Sequence, residues 1–200
     1  MRIVIIKQTN NPAKTIILWM IVFSILAITP NLSARTYISQ DEFLNIVAAR
    51  DSTFIVSNLL TKTFWLNKEI QSNIKAILNH KYPRLRLRYK VDQNLTTIWF
   101  LDEIGKERPI TFGVAIKDNK IRVIRVLEFR ESRGYEIKLP AFTKQFKEIG
   151  VDQNGKLDHN IDGITGATMS VRAMKKIARI ALMLHKKVLI SNSSNKKNNK

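Results

Sequence analysis

The chain predicts an α+β domain, a largely antiparallel sheet with helices at both ends. Two features announce the sheet. Residues 84–91 alternate without a break: Leu85, Leu87, Tyr89 and Val91 on one side, Arg84, Arg86, Arg88 and Lys90 on the other, the period of a half-buried strand. Lys117-Asp118-Asn119-Lys120 separates two β-rich runs, Ile110–Ile116 and Ile121–Phe129, and reads as a hairpin turn. The third feature is helical: Val171, Met174, Ile177, Ala178, Ala181 and Leu182 recur at helical spacing near the C-terminus.

The remaining elements follow in order. Ser39-Gln40-Asp41-Glu42 has the form of a capping box before a helix that presents Phe43, Leu44 and Val47. Thr53–Phe64 is apolar and β-branched, which predicts a strand. Asn67 is placed to cap a helix with an Ile70, Ile74, Ile77 and Leu78 stripe, and Lys81-Tyr82-Pro83 is expected to stop it. A strand is expected at Thr96–Leu101. Pro140 opens a short helix carrying Phe142 and Phe146, and Gly150–Leu157 is a turn-rich connection. Trp99, Phe129 and Phe146 are assigned to the core. The last helix is expected to fade near Ile190, leaving residues 191–200 as a disordered polar tail.

Composition narrows the classes. The formal charge is +18, and residues 35–190 keep +12 of it, enough to attract acidic partners or anionic surfaces. No cysteine is present, which excludes disulfides, thiolate iron–sulfur ligation and Cys-linked haem. Residues 1–34 read as a signal peptide or membrane anchor: Arg2, Lys7 and Lys14 precede an apolar run, Ile16–Ile28, broken only by Ser24. Thirteen residues suit a secretory core better than a spanning helix, which needs about 20. Ala34 is a plausible cleavage position, and an uncleaved anchor over Thr15–Ala34 is the alternative. Either way the domain over 35–190 is expected to be exported, periplasmic or held at the outer face of the inner membrane. Export argues against reading the Arg84–Lys90 row as a nucleic-acid ribbon; a solvated face or a dock for an acidic partner fits better.

The chemistry concentrates in Asp162-Gly163-Ile164-Thr165-Gly166-Ala167-Thr168-Met169-Ser170. Gly163 and Gly166 permit a sharp turn and a close approach to a ligand. Ser170 is a fitting N-cap for the following helix. Thr168 then offers a hydroxyl just before a helix N-terminus, where free N–H groups and the dipole favour phosphate. An ordinary strand–turn–helix with a serine cap is the plainer reading of the same residues. No metal-ligand spacing is apparent, no residue is assigned as catalytic, and the absence of a Gly-x-Gly pair leaves direct use of NADH unsupported.

This stretch resembles the flavinylation motif of the FMN-binding domain family, Asp-x-x-Ser/Thr-Gly-Ala-Thr-x-Ser. That family includes the flavin-carrying C subunit of the sodium-pumping NADH:quinone reductase and the G subunit of the Rnf complex. A second similarity lies in Glu131-Ser132-Arg133-Gly134-Tyr135-Glu136-Ile137, followed by Pro140-Ala141-Phe142 and Gln145-Phe146, which is similar to the family's flavin-facing Glu-Thr-Pro-Gly-x-Gly loop and the helix after it. Arg133 and Glu136 stand where the family often has Pro and Gly. Together the similarities span about residues 100–190.

The resemblance implies a curved sheet flanked by helices and FMN esterified through its phosphate to Thr168. A threonine hydroxyl is a weak nucleophile without a base or metal, and His159 is the one base near it in sequence. In the family a separate, magnesium-dependent exported transferase takes FMN from FAD and releases AMP. Asp162, Gly163, Ile164, Thr165, Gly166, Ala167 and Ser170 would surround the linkage, with Asp162 bonding the turn's amides or assisting the metal-dependent step. Tyr135 and Phe142, with the Gly134 turn, are candidates for the ring slot, and Glu131 or Glu136 for the ring edge or ribityl chain. The expected role is an exported electron carrier relaying electrons between a membrane redox component and an acceptor, with no nucleic acid involved. A flavin-free basic scaffold and a flavin-dependent reductase of a small substrate are the alternatives.

Overall fold

The computed structural model describes residues 35–198; the leader reading lies outside them. Six strands form one antiparallel sheet: β1 (Arg35–Thr36), β2 (Leu60–Trp65), β3 (Arg86–Val91), β4 (Thr97–Ile104), β5 (Pro109–Lys117) and β6 (Lys120–Phe129), in the order β1-β6-β5-β4-β3-β2. Four α-helices accompany them: α1 (Gln40–Ala48), α2 (Lys68–Leu78), α3 (Pro140–Thr143) and α4 (Thr168–Asn198). The α+β class expected from the sequence is what the chain adopts.

Locally encoded features behave as expected. Ser39 Oγ accepts the Glu42 N–H at 3.0 Å and opens α1. Asn67 Oδ1 accepts the Ile70 N–H at 2.9 Å and opens α2. Asp118 and Asn119 both take positive φ, 54° and 58°, and Lys117 pairs with Lys120 across the two-residue turn. That geometry matches the right-handed twist of the flanking strands.

Several boundaries differ. The strand expected over Thr53–Phe64 begins at Leu60, because Val56–Asn58 forms a 3-10 turn first. Helix α2 stops at Leu78 rather than at Lys81-Tyr82-Pro83, since Asn79 turns left-handed at φ 68° and returns its N–H to Lys75. Leu85, assigned to the buried side of β3, is 65% exposed; it lies before the strand proper, which begins at Arg86. Helix α4 does not fade near Ile190 but runs to Asn198. The Ser191, Ser193 and Ser194 hydroxyls donate to the carbonyls of Val188, Leu189 and Ile190, which turns polar side chains into helix partners.

Both sheet faces are apolar, unequally. Helix α4 lies across the larger layer, where Met174, Ile177, Ala178 and Ala181 meet Trp99, Leu101, Phe112 and Val114. Helix α1 covers a smaller one with Phe43, Leu44 and Val47 against Ile98, Ala115, Val123 and Leu127. Trp99, Phe146 and Phe129 are buried as expected. Among the described residues no helix is long and apolar enough to cross a membrane.

One buried polar relay sits under α4. Trp99 Nε1 donates to Thr97 Oγ1 at 2.9 Å, and that hydroxyl is 2.8 Å from Nδ1 of His185. His185 is fully buried. Burial pushes its pKa down from 6.5 to about 4, only weakly opposed by Asp118. Its folded pKa lies below the unfolded one, so the unfolded chain takes up the proton first. The associated stability is complete above pH 6.5 and is lost as pH falls towards 4. We expect a loss of about 3 kcal/mol across that window. Asp51 and Asp158, both lowered to about 2, act only below it. Denaturation of His185→Gln should give a flatter profile between pH 6.5 and 4; an unchanged slope would assign the effect elsewhere.

Candidate functional site

Two stretches distant in sequence meet at one end of the sheet. The turn Ile164–Ala167 closes with the Ala167 N–H on the Ile164 carbonyl at 3.0 Å. Gly166 takes φ +81° within it, the left-handed angle that a type II turn demands at its third position. Gly163 has no positive φ and open space around it, so of the two glycines only Gly166 uses the conformational freedom expected of both.

Helix α4 starts two residues earlier than the expected Ser170 cap. Thr168 is its first residue, and the Val171 N–H already bonds the Ala167 carbonyl at 3.0 Å. Ser170 is buried inside the first turn, beneath the 131–137 loop. The N–H groups of Thr168, Met169 and Ser170 precede the first intrahelical bond and have no backbone acceptor among the described residues. Thr168 is exposed, and its hydroxyl has no hydrogen-bond partner among them. An exposed hydroxyl thus stands at the positive end of a 31-residue helix.

The second stretch packs on the first through Gly134. Its φ is +85°, and an added Cβ would lie 3.0 Å from Ser170 Oγ and 3.1 Å from Ala167 Cβ. Only glycine combines that angle with that approach. Gly134→Ala should cost about 2 kcal/mol from left-handed strain and crowding, measured by urea denaturation. Adding Ser170→Gly should recover only the crowding part; full recovery would mean that the backbone angle imposes nothing.

The other candidates separate. Tyr135 is 55% exposed, on a short 3-10 turn (Tyr135–Lys138), and remains available to a planar group. Phe142 does not: it is buried edge-on against Phe146, ring centroids 6.0 Å apart. The apolar face of α3 has nowhere else to go, and this corrects its assignment to a ring slot. Glu131 is also diverted. Its Oε1 accepts the N–H groups of Lys106, Glu107 and Arg108 at 2.5, 2.8 and 3.0 Å, capping the β4–β5 turn. Burial opposes its charge, but those three donors outweigh it and hold the carboxyl below its usual range. Glu136 is half-buried on the same turn as Tyr135.

Asp162 and Thr165 are exposed, while Ile164 is half-buried against the larger core. The Asp162 carboxylate receives no backbone amide among the described residues, so its expected role as a turn cap fails. Its own N–H instead donates to Gln145 Oε1 at 2.9 Å. His159 holds Asp158, Nδ1 to Oδ1 at 2.9 Å, a loop contact. Sequence reasoning gave no role to two cations that hold the motif's approach. Lys175 Nζ reaches the Ile161 carbonyl at 2.6 Å, and Arg179 Nε the Gly155 carbonyl at 2.7 Å. Their four-residue spacing on one face of α4 is the signal that the sequence offers for the pair.

The arrangement suits an anionic, phosphate-bearing group: an exposed hydroxyl, free helix amides, a glycine-tight turn and one exposed aromatic beside it. A helix mouth of this composition is chemically compatible with such a group. Residues 105–183 match the family model of the FMN-binding domain. That match supports assigning the segment to the FMN-binding domain family, suggests a flavin-binding protein and supports FMN as its cofactor. No curated protein and no solved structure matches the chain.

Proposed function

We propose that the chain is an exported electron-transfer flavoprotein that carries FMN through a phosphoester to Thr168. The observation that supports this most directly is the exposed, unpartnered Thr168 hydroxyl at the N-terminus of α4, in a turn tightened by Gly166. A flavin transferase using FAD and Mg²⁺ would replace the hydroxyl proton with phosphorus, as AMP leaves. The neighbouring open space at Gly163 and Gly166 favours access by that second protein. Free amides at the helix mouth would then face the phosphodiester, and Tyr135 is the aromatic best exposed to meet the ring.

Bound FMN supplies one- and two-electron chemistry; the chain supplies position and surroundings. No base contacts Thr168 among the described residues, which supports maturation by a separate enzyme. A redox component at a membrane and an acceptor are the proposed partners. Intact mass of the chain produced together with a flavin transferase tests the reading: attachment adds about 438 Da, FMN less water. A mass without that increment would leave a flavin-binding protein that holds its cofactor by non-covalent contacts.

A further inference from the structure

We propose that the end of the domain carrying Thr168 is a docking face for an anionic phospholipid bilayer. The inference deepens the proposed role by naming what the flavin-bearing end faces, and to that extent rests on it. It draws on three independent placements.

The first is apolar exposure. Of the ten large hydrophobic side chains exposed among the described residues, five belong to this end: Trp65, Leu85, Ile104, Tyr135 and Met169. Strand pairing explains the grouping. Trp65 lies opposite Arg86, the Arg84 guanidinium meets Asp102, and β4 ends at Ile104 beside the turn that Glu131 caps. Glu131 leads within three residues to Gly134, which touches Ala167 and Ser170. Both aromatics exposed among the described residues, Trp65 and Tyr135, are here; their amphipathic rings favour a boundary between hydrocarbon and headgroups over either phase alone.

The second is charge. The acids at this end are largely spent internally: Asp102 on Arg84, Glu128 on Arg130, Glu131 on backbone amides. Arg86, Arg108, Arg133 and Arg172 are exposed and form no ion pair among the described residues; the unpaired acids there are Glu136 and Asp162. Two of the four arginines lean on exposed apolar groups. The Arg86 guanidinium is 5.8 Å from the Trp65 ring centroid, and Arg172 Nη1 is 3.8 Å from Met169 Sδ. An apolar body with a cationic head beside it suits acyl chains below and lipid phosphates above.

The third placement is the path of the chain. Arg35 pairs with Phe129 at this same end, running antiparallel to β6, so the chain enters the domain there. The apolar run Ile16–Ile28 stops seven residues earlier in sequence, a span of at most ~25 Å. The sequence connection from that run therefore joins the domain at this end of the sheet. An acidic protein partner would exploit the arginines but explains neither the aromatics nor that connection.

The chain lacks cysteine, so single labels can be placed cleanly at the two ends of β4. Full-length Ile104→Cys and Gln93→Cys variants, each carrying an environment-sensitive fluorophore, would be mixed with phosphatidylglycerol-rich vesicles containing a lipid-chain quencher. We expect about threefold stronger quenching at 104 than at 93, shrinking on pure phosphatidylcholine vesicles. Equal quenching at both positions, none at either, or a difference indifferent to lipid charge would overturn the proposal. The labelled chain is measured without flavin, so a failure here leaves the mass test of Thr168 untouched.

Discussion

Thr168→Val should abolish covalent flavin completely while leaving the fold as stable as the parent. The structure makes the two halves of that expectation separable. Thr168 is the first residue of α4, exposed, with no hydrogen bond from its hydroxyl among the described residues. It is not the cap, so losing the hydroxyl removes no cap bond, and surface changes of this kind stay within about 0.5 kcal/mol. Threonine and valine share β-branching and similar helix propensity. Chain produced with a flavin transferase should therefore show no fluorescent band on a denaturing gel, no added mass and an unchanged unfolding midpoint. Thr168→Ser, which restores a hydroxyl at that position, should regain the band. A fluorescent Thr168→Val chain would move the attachment to another side chain.

The second large effect lies eight residues further along the same helix. Glu103 is almost fully buried on β4, and Lys176 Nζ reaches its Oε1 at 2.9 Å. The same ammonium donates to the Leu78 carbonyl at 2.8 Å, and His80 Nε2 meets Glu103 Oε2 at 3.0 Å. One charge cluster thus ties α2, β4 and α4 together and fixes the helix along its own axis. Lys176→Met leaves a buried carboxylate with one histidine, and a loss of about 3 kcal/mol is expected. Because Thr168 sits about 12 Å up the helix, a shift of α4 would also move the helix mouth against Gly134. The double variant Glu103→Leu/Lys176→Met should recover most of the loss, since an apolar pair of similar volume removes the stranded charge. A single variant as stable as the parent would show that water already screens the cluster.

Both experiments turn on contacts of different range. The elements that were legible are those whose reason is local. Ser39 and Asn67 cap helices with their own side chains, three residues from the amides they serve. Asp118 and Asn119 tolerate positive φ and close a hairpin between neighbouring strands. The motif around Thr168 was readable for the same reason, because glycine, alanine and hydroxyl residues within nine positions dictate a turn leading into a helix.

Misassignments arose where a distant partner decided the outcome. Phe142 suited a flavin ring in isolation, yet Phe146 and the larger core claimed it. Glu131 suited a ring edge until the amides of 106–108 used its oxygen. Ser170 has the chemistry of a cap, but a helix begins where its first bond can form, and Ala167 supplies that carbonyl. Nothing near Lys175 and Arg179 in sequence reveals the carbonyls of Ile161 and Gly155 that they hold.

Residue order alone determined the class of fold, the hairpin, the helix starts at Ser39 and Asn67 and the hydroxyl on which the flavin reading depends, since each follows from backbone preference and bonds spanning a few residues. The tertiary structure decided which of the candidate groups around that hydroxyl stay exposed. It also decided that Gly134 presses against Ala167 and Ser170, and that β1 pairs with the Phe129 end of β6. Those outcomes belong to burial and long-range pairing, where a side chain's fate is set by whichever neighbour the sheet brings to it.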